Sequence, residues 1–403
     1  MTRGFDQAEP TRRVSRDDHL SRRERLRRDR RRRWYVVVIA SVSGSLAALS
    51  SGPSSAPAAR EPERGTETTV EAPAEGKFST LLLAHRAKDG TLDLGVIFGV
   101  DTNEPRRATA LLLPPTTMVQ VAALQQQTLR ELPALVDDDI LELTVENATG
   151  IRLDTVIIAD DVLLARLLAP ADPIPVDFSR GIRIDDDAGT LGYAGGAQKL
   201  SAADAYRVLL GTEPDGSLSH LVTVGAVLEG WIDRLDRPAV ARPTVEVDRR
   251  ATFLRAMGGL DLRLLTLPVE RVDAGDVERF RMLDDEVANL VGGQFGPARL
   301  GDGSRPRAEL RNGTGTVGLT QAVSRFVVPI GVEVAHTDNV PGFGKDETIV
   351  QYYDGEHEAT AQAVVDALGV GRAERVNEQI DFVDLTVIVG ADFETAHPEV
   401  TGR

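Results

Sequence analysis

A few short stretches of this 403-residue chain carry side chains that could do chemistry. Asp137-Asp138-Asp139 and Asp185-Asp186-Asp187 offer carboxylates of the kind a divalent cation takes. Adjacent aspartates point in different directions, so both runs read as solvated turns or helix caps instead. Arg106-Arg107, just ahead of an apolar run, supplies two guanidinium groups that could meet an anionic ligand; a solvated hairpin pair is the competing reading. Asn312-Gly313-Thr314-Gly315 suits a tight strand-to-helix turn with positive φ at its glycines. Its bare amides could cradle an anion at the following helix N-terminus, against a turn needed only by the fold. His19, His85, His220, His336, His357 and His397 are scattered, with no zinc-type spacing. No Gly-x-Ser-x-Gly elbow occurs. The absence of cysteine excludes disulfides, thiolate catalysis and cysteine-ligated zinc. No catalytic residue and no metal ligand is assigned.

The elements that must position these groups alternate between strand and helix. Residues 78–84, 92–100 and 109–113 read as strands, the last apolar enough to be buried on both faces. Residues 137–148 read as a helix ending at Gly150. The strand 156–159 feeds a helix capped at Asp160-Asp161, and Ser201 with Asp204 opens another. Leu221, Val224, Leu228, Trp231 and Leu235 share one helical face. Trp231 and Tyr352-Tyr353 read as core or edge packing rather than as sugar-stacking platforms. A Gly- and Pro-rich break at 292–306 precedes a unit with helical stripes at Leu319, Ala322, Val323, Phe326 and at Ala361, Val364, Val365, Leu368. Strands are expected at 332–335, 348–352 and 385–389. The pattern predicts an α/β layered domain and then a smaller α/β domain.

Charge places the chain. Residues 1–33 hold 13 arginines and 6 acids, a net of +7. The whole chain is −16, so residues 34–403 carry −16 − 7 = −23. Trp34 to Ala59 has no charge at all, and arginine kept on the cytoplasmic side fixes the direction of an apolar helix. The expectation is a single-pass transmembrane anchor at 34–52, a basic cytoplasmic tail at 1–33, and a disordered linker at 53–76. Everything beyond it then lies outside the cytoplasm. A cleaved signal peptide ending near Ala56-Pro57-Ala58 is the alternative. The acidic exterior disfavours nucleic acid, leaving only a cytoplasmic regulator that binds it through the basic tail as a minor reading.

The stretch Glu309-Leu310-Arg311-Asn312-Gly313-Thr314-Gly315-Thr316-Val317-Gly318-Leu319 resembles the opening of the LytR C-terminal domain. Glu347-Thr348-Ile349-Val350-Gln351-Tyr352 and Asp384-Leu385-Thr386-Val387-Ile388-Val389-Gly390-Ala391-Asp392 resemble its later blocks, so that domain is expected at 308–394 behind a linker at 292–307. Residues 77–291 resemble the LytR-CpsA-Psr (LCP) family through Leu143-Thr144-Val145-Glu146-Asn147-Ala148-Thr149-Gly150 and Tyr193-Ala194-Gly195-Gly196-Ala197-Gln198-Lys199-Leu200-Ser201. That resemblance implies an outward-facing protein anchored in the cell membrane. It also implies transfer of glycopolymers from a polyprenyl-pyrophosphate carrier to peptidoglycan, with arginines on the pyrophosphate and aspartates on magnesium.

Here the sequence departs from the family. Its Pro-Arg-Asp-Thr block reads Pro114-Pro115-Thr116-Thr117, and its later arginines fall near Leu210, Thr212, Leu218 and Leu221, with no arginine between Arg207 and Arg234. One lost clamp on a leaving pyrophosphate costs about 3 kcal/mol of transition-state stabilisation. The LCP-like domain therefore reads as degenerate, a pseudoenzyme without cofactor that binds a cell-wall glycan, a lipid-linked precursor or an envelope protein. Binding residues are expected at Arg106, Arg107, Asn312, Gly313, Thr314 and Gly315. The alternative is an active phosphotransferase rebuilt on Arg106, Arg107 or Arg180, with magnesium.

Overall fold

The computed structural model describes residues 78–101, 107–122, 124–235, 253–254, 256–272, 278–301, 305–377 and 382–398. The basic tail, the anchor at 34–52, the linker to Gly76 and Arg106 lie outside the described residues. Among the described residues no helix is long and apolar enough to cross a membrane.

The first domain is built on β1 (Phe78–Arg86), β2 (Leu92–Asp101) and β3 (Arg107–Leu112), joined antiparallel. Beyond β3 come two short strands, β4 (Met118–Val121) and β5 (Gln125–Thr128), and two helices, α1 (Leu132–Leu135) and α2 (Asp138–Thr149). The strand β6 (Thr155–Ala159) adds parallel to β1 and leads into α3 (Asp161–Leu168). Two hairpin-like pairings follow among β7 (Ile174–Phe178), β8 (Ile182–Asp186), β9 (Gly189–Tyr193) and β10 (Gly196–Leu200). Then come α4 (Ala202–Leu210), α5 (Ser217–Leu235) and β11 (Asp261–Thr266), which closes the sheet order β11-β3-β2-β1-β6. A hairpin of β12 (Val269–Val272) and β13 (Arg279–Met282) leads to α6 (Asp284–Gln294).

Local chemistry sets the helix ends. Asp137 accepts the Ile140 amide at 2.9 Å and Gly150 closes α2 at φ +71°. Asp160 accepts the Leu163 amide at 2.7 Å, and Ser201 the Asp204 amide at 3.0 Å. The expected carboxylate runs resolve the same way: Asp137 is a cap, and Asp186 pairs with Arg207 at 2.7 Å at the β8–β9 turn. Asp137 thus caps a helix as expected, whereas Asp186 is held by an ion pair rather than by solvent.

Alternate residues of β1 enter two cores, as the strand period requires. Leu81 and Leu83 pack with Phe98, Leu164, Val208 and Trp231, whose indole N–H donates to the Leu167 carbonyl at 3.1 Å. Leu82 and Ala84 pack with Ile97, Ile140 and Val145 on the other side.

That second core does not stop at the domain boundary. It runs on into Leu310, Val323, Val387 and Phe393 of the C-terminal unit. The stretch expected as a linker is packed instead: α6 continues to Gln294, and Phe295, Ala298 and Leu300 are buried. Leu300 donates to the Gly150 carbonyl at 2.9 Å, and Arg152 to Ala298 at 2.7 Å. Glycine and proline dominate the composition there, but Phe295 and Leu300 anchor it.

The C-terminal unit is a five-stranded sheet in the order β15-β14-β18-β16-β17, from β14 (Arg307–Asn312), β15 (Glu333–Asn339), β16 (Ile349–Tyr352), β17 (Arg372–Arg375) and β18 (Leu385–Val389). Its helices are α7 (Leu319–Val327), α8 (Glu358–Leu368) and α9 (Ala391–Ala396). Leu310, Val387 and Val350 face them in the shared core, whereas Glu309, Arg311, Thr386 and Gln351 alternate onto the other face. The edge strand β15 does not end the hydrogen bonding. The Asn147 side chain donates to the Val334 carbonyl at 3.0 Å and accepts the Val334 amide at 2.9 Å, pairing as a short piece of strand would. Arg305 donates to the Asn147 carbonyl and lies 3.8 Å from Glu333.

Candidate functional site

The register sends β1, β3, β6 and β11 the same way, so one edge of the sheet gathers their C-terminal ends. In open α/β sheets ligands favour that edge. His85 stands there, 1% exposed, with Nε2 3.1 Å from Asp161 Oδ1. Tyr206 donates to the same oxygen at 2.6 Å, and Lys88 approaches the other at 3.4 Å. The Tyr206 hydroxyl above all, with Lys88 and His85, holds the Asp161 carboxyl below its ordinary range. Asp161 is thus ionised, so His85 Nε2 must be the donor. His85 Nδ1 has no hydrogen-bond partner among the described residues and lies 3.9 Å from Asp93 Oδ2. Burial pushes Asp93 upward, against the pull of Arg130 at 3.3 Å. Sequence reasoning did not find this group, because His85 and Asp161 are 76 residues apart and only the β1–β6 pairing joins them.

The turn Pro114-Pro115-Thr116-Thr117 follows β3 on the same edge. It is held by Thr117 N–H to Pro114 at 3.0 Å and Phe280 N–H to Thr116 at 3.1 Å. The hydroxyls of Thr116 and Thr117 are buried and find no partner among the described residues. Two hydroxyls make no magnesium site, which needs several hard oxygen ligands. Asp93 and Asp161 are already shared among Arg130, Lys88, Tyr206 and His85. These residues do not fit a bound magnesium ion.

The corner between α4 and α5 holds a cleft of about 400 Å³ lined by Arg180, Ile182, Arg183, Tyr193, Glu213 and Asp215. Its chemistry is anionic at the bottom. The Glu213 side chain is 1% exposed, takes hydrogen bonds from Arg180 and Thr223, and has His220 Nδ1 3.8 Å away. Burial alone would raise Glu213, but His220, Thr223 and Arg180 outweigh it and hold the carboxyl at about 2. Arg180 also meets Asp215 at 3.2 Å and Ser219 at 2.6 Å. At the N-terminus of α5, where the helix dipole favours an anion, the chain supplies its own: the Ser217 amide donates to Glu278 at 3.1 Å. Leu210, Thr212, Leu218 and Leu221 add no charge to this corner.

This pair predicts a stability change. Arg180→Ala leaves Glu213 buried with one cation fewer; because Arg180 is 39% exposed, the expected loss is about 2 kcal/mol rather than a fully buried pair's 3–5. Glu213 is depressed in the fold, so its contribution is present above the ordinary carboxylate range and fades as pH falls through 2. Urea melts of both proteins at pH 7 and pH 2.5 should show the gap narrowing with acid. An equal gap at both would contradict the assignment.

The expected binding residues that the structure describes are not brought together. Arg107 opens β3 at the opposite edge, exposed, in register with Asp101 on one side and Asp261 on the other. Asn312 to Gly315 lie in the other domain, and their amides are committed within the fold. The Thr314 and Gly315 amides donate to Asn312 Oδ1 at 3.1 and 2.9 Å, and the Gly313 amide to Val389 at 3.0 Å. The Thr316 amide donates to Thr314 Oγ1 at 3.2 Å. Gly315 has φ +89°, as the turn reading requires. Gly313 does not; it must be glycine because a Cβ would run into the Val389 carbonyl and the Lys345 side chain.

Residues 306–393 match the family described as LytR cell envelope-related transcriptional attenuator, two residues earlier at the start and one at the end than the sequence blocks suggested. No curated protein matches the chain. Among solved structures, TagV of B. subtilis is 15% identical with a TM-score of 0.48, over 56% of this chain and 98% of that one. B. subtilis TagT gives 15% identity and 0.46 over 57% and 94%. The LytR-CPS2A-psr family protein YwtF (TagT) with bound octaprenyl pyrophosphate lipid gives 14% and 0.44 over 57% and 94%. The chain thus carries a LytR C-terminal domain at residues 306–393.

Proposed function

We propose that this chain is a cell-envelope protein that binds, rather than transfers, a cell-wall glycopolymer or its lipid-linked precursor. One observation carries the reading: where a leaving pyrophosphate would need unpaired cations, the α4–α5 corner has a buried carboxylate, and Arg180 is committed to it. A second carboxylate, Glu278, fills the α5 N-terminus. A diphosphate ester entering there meets negative charge, which raises rather than lowers the cost of its departure. The anchor at 34–52 would hold the domains on the outer side of the cell membrane.

Full-length protein in detergent, given a polyprenyl-pyrophosphate-linked glycopolymer, peptidoglycan and magnesium, should retain the substrate in a pull-down and release no polyprenyl pyrophosphate. Sustained turnover overturns the reading. Arg180 and Arg183 lining one cleft favour a second reading, a rebuilt phosphotransferase. If turnover appears and Arg180→Ala abolishes it, that reading replaces the first. Protease added to intact cells should degrade the body of the protein; full protection places it inside.

A further inference from the structure

From the face of the C-terminal sheet that turns away from its helices, we infer a binding site for one divalent cation of the zinc class, held by Glu309, His336 and Asp338. One donor atom from each residue lies within 4.8 Å of the others. The backbone arranges this. Glu309 of β14 is in register with His336 of the neighbouring β15, and Asp338 follows His336 by two, so all three project on one side. The strands are central or edge members of a paired sheet, so the donors are set before an ion arrives.

The buried carboxylate is the second observation. The Glu309 side chain is 3% exposed, yet both Arg311 (2.8 Å) and the Thr386 hydroxyl (3.4 Å) approach its Oε2. Neither takes Oε1. Asp338 likewise gives Oδ1 to the Asn339 amide at 2.8 Å, which leaves Oδ2. The His336 ring stands edge-on to Phe382, centroids 6.5 Å apart. With Arg311 offsetting one carboxylate, one negative charge remains in excess beside a nitrogen donor. A nitrogen and two carboxylate oxygens suit zinc better than magnesium or calcium, which take all-oxygen shells. Three protein ligands leave a fourth position for water, and exposed Asp338 puts that position toward solvent.

Calorimetric titration of the full-length protein with zinc chloride should show one saturable equivalent, with magnesium chloride giving none at equal concentration. His336→Ala and Asp338→Asn should each weaken that equivalent at least tenfold, while His357→Ala, on the same domain but outside the cluster, leaves it unchanged. Thermal melts in chelator should superimpose for wild type and His336→Ala, and added zinc should raise the midpoint of wild type alone. Absence of a saturable equivalent, or one that survives both cluster substitutions, overturns the site.

Discussion

Asn147→Ala should cost about 3 kcal/mol of stability, one of the largest effects expected of any polar substitution in this chain. The side chain is 5% exposed and satisfies both the N–H and the C=O of Val334, 187 residues away. Removing it strands two buried backbone groups, each worth roughly 1–3 kcal/mol of desolvation. Asn147→Leu fills the space and leaves the same two groups unpaired, so it should not rescue. The loss should be local in amide exchange as well: protection at Val334 and along β15 should fall before that of β1 and β2. Denaturant melts and exchange on the same samples test both parts. A change under about 0.5 kcal/mol, with β15 protection intact, would falsify the view that this amide joins the domains.

Glu146→Gln should do the opposite, with a gain that grows as pH rises from about 4.5 to about 7. Glu146, one residue before the clamp, is 8% exposed. Burial pushes its carboxyl up to about 7, reinforced by Glu142 and resisted by the Leu153 amide, which donates to Oε1 at 2.8 Å. A carboxyl raised in the fold prefers to keep its proton there. The protein then loses stability as pH climbs from the unfolded value of 4.5 through about 7, because ionisation is harder in place than in the open chain. Over that interval the loss is on the order of 3 kcal/mol. Glutamine keeps the acceptor for Leu153 and cannot ionise. The variant should match wild type near pH 4 and exceed it by about 2–3 kcal/mol at pH 8.5. Stability curves that stay parallel across this range would show that Glu146 is solvated.

Much of the local structure was legible in the residue order, for a definite reason. The caps at Asp137, Asp160, Ser201, Gly150 and Gly369 act within one turn of their own helix, so their chemistry lies within four residues of sequence. Apolar periodicity likewise placed β1 to β3 and the buried face of α5. The strands β7 to β10 escaped, because glycine and aspartate break their alternation and neighbouring strands supply the order. So did the packed segment after α6, where two large apolar residues act against the surrounding composition.

The sites were hidden for a different reason. His85 with Asp161, Arg180 with Glu213, and Glu309 with His336 are each assembled across sequence separations of 27 to 76, or through strand register. No spacing rule reaches that far without the fold. The family resemblance suggested a subtraction instead: near Leu210, Thr212, Leu218 and Leu221, where it implies arginines, this chain has none. The Asn312 turn illustrates the reverse case, where glycine-rich spacing suggested open amides and the asparagine beside them had already taken the donors.

The amide of Asn147 also limits how these two halves can be inherited. A recombination joint placed between Gly150 and Pro306 would set a foreign β15 against an α2 shaped for another partner, with Phe295 and Leu300 on the wrong side of the seam. Exchange of the C-terminal module between lineages should therefore carry α2 with it, or be followed by paired replacements at residue 147 and across the seam.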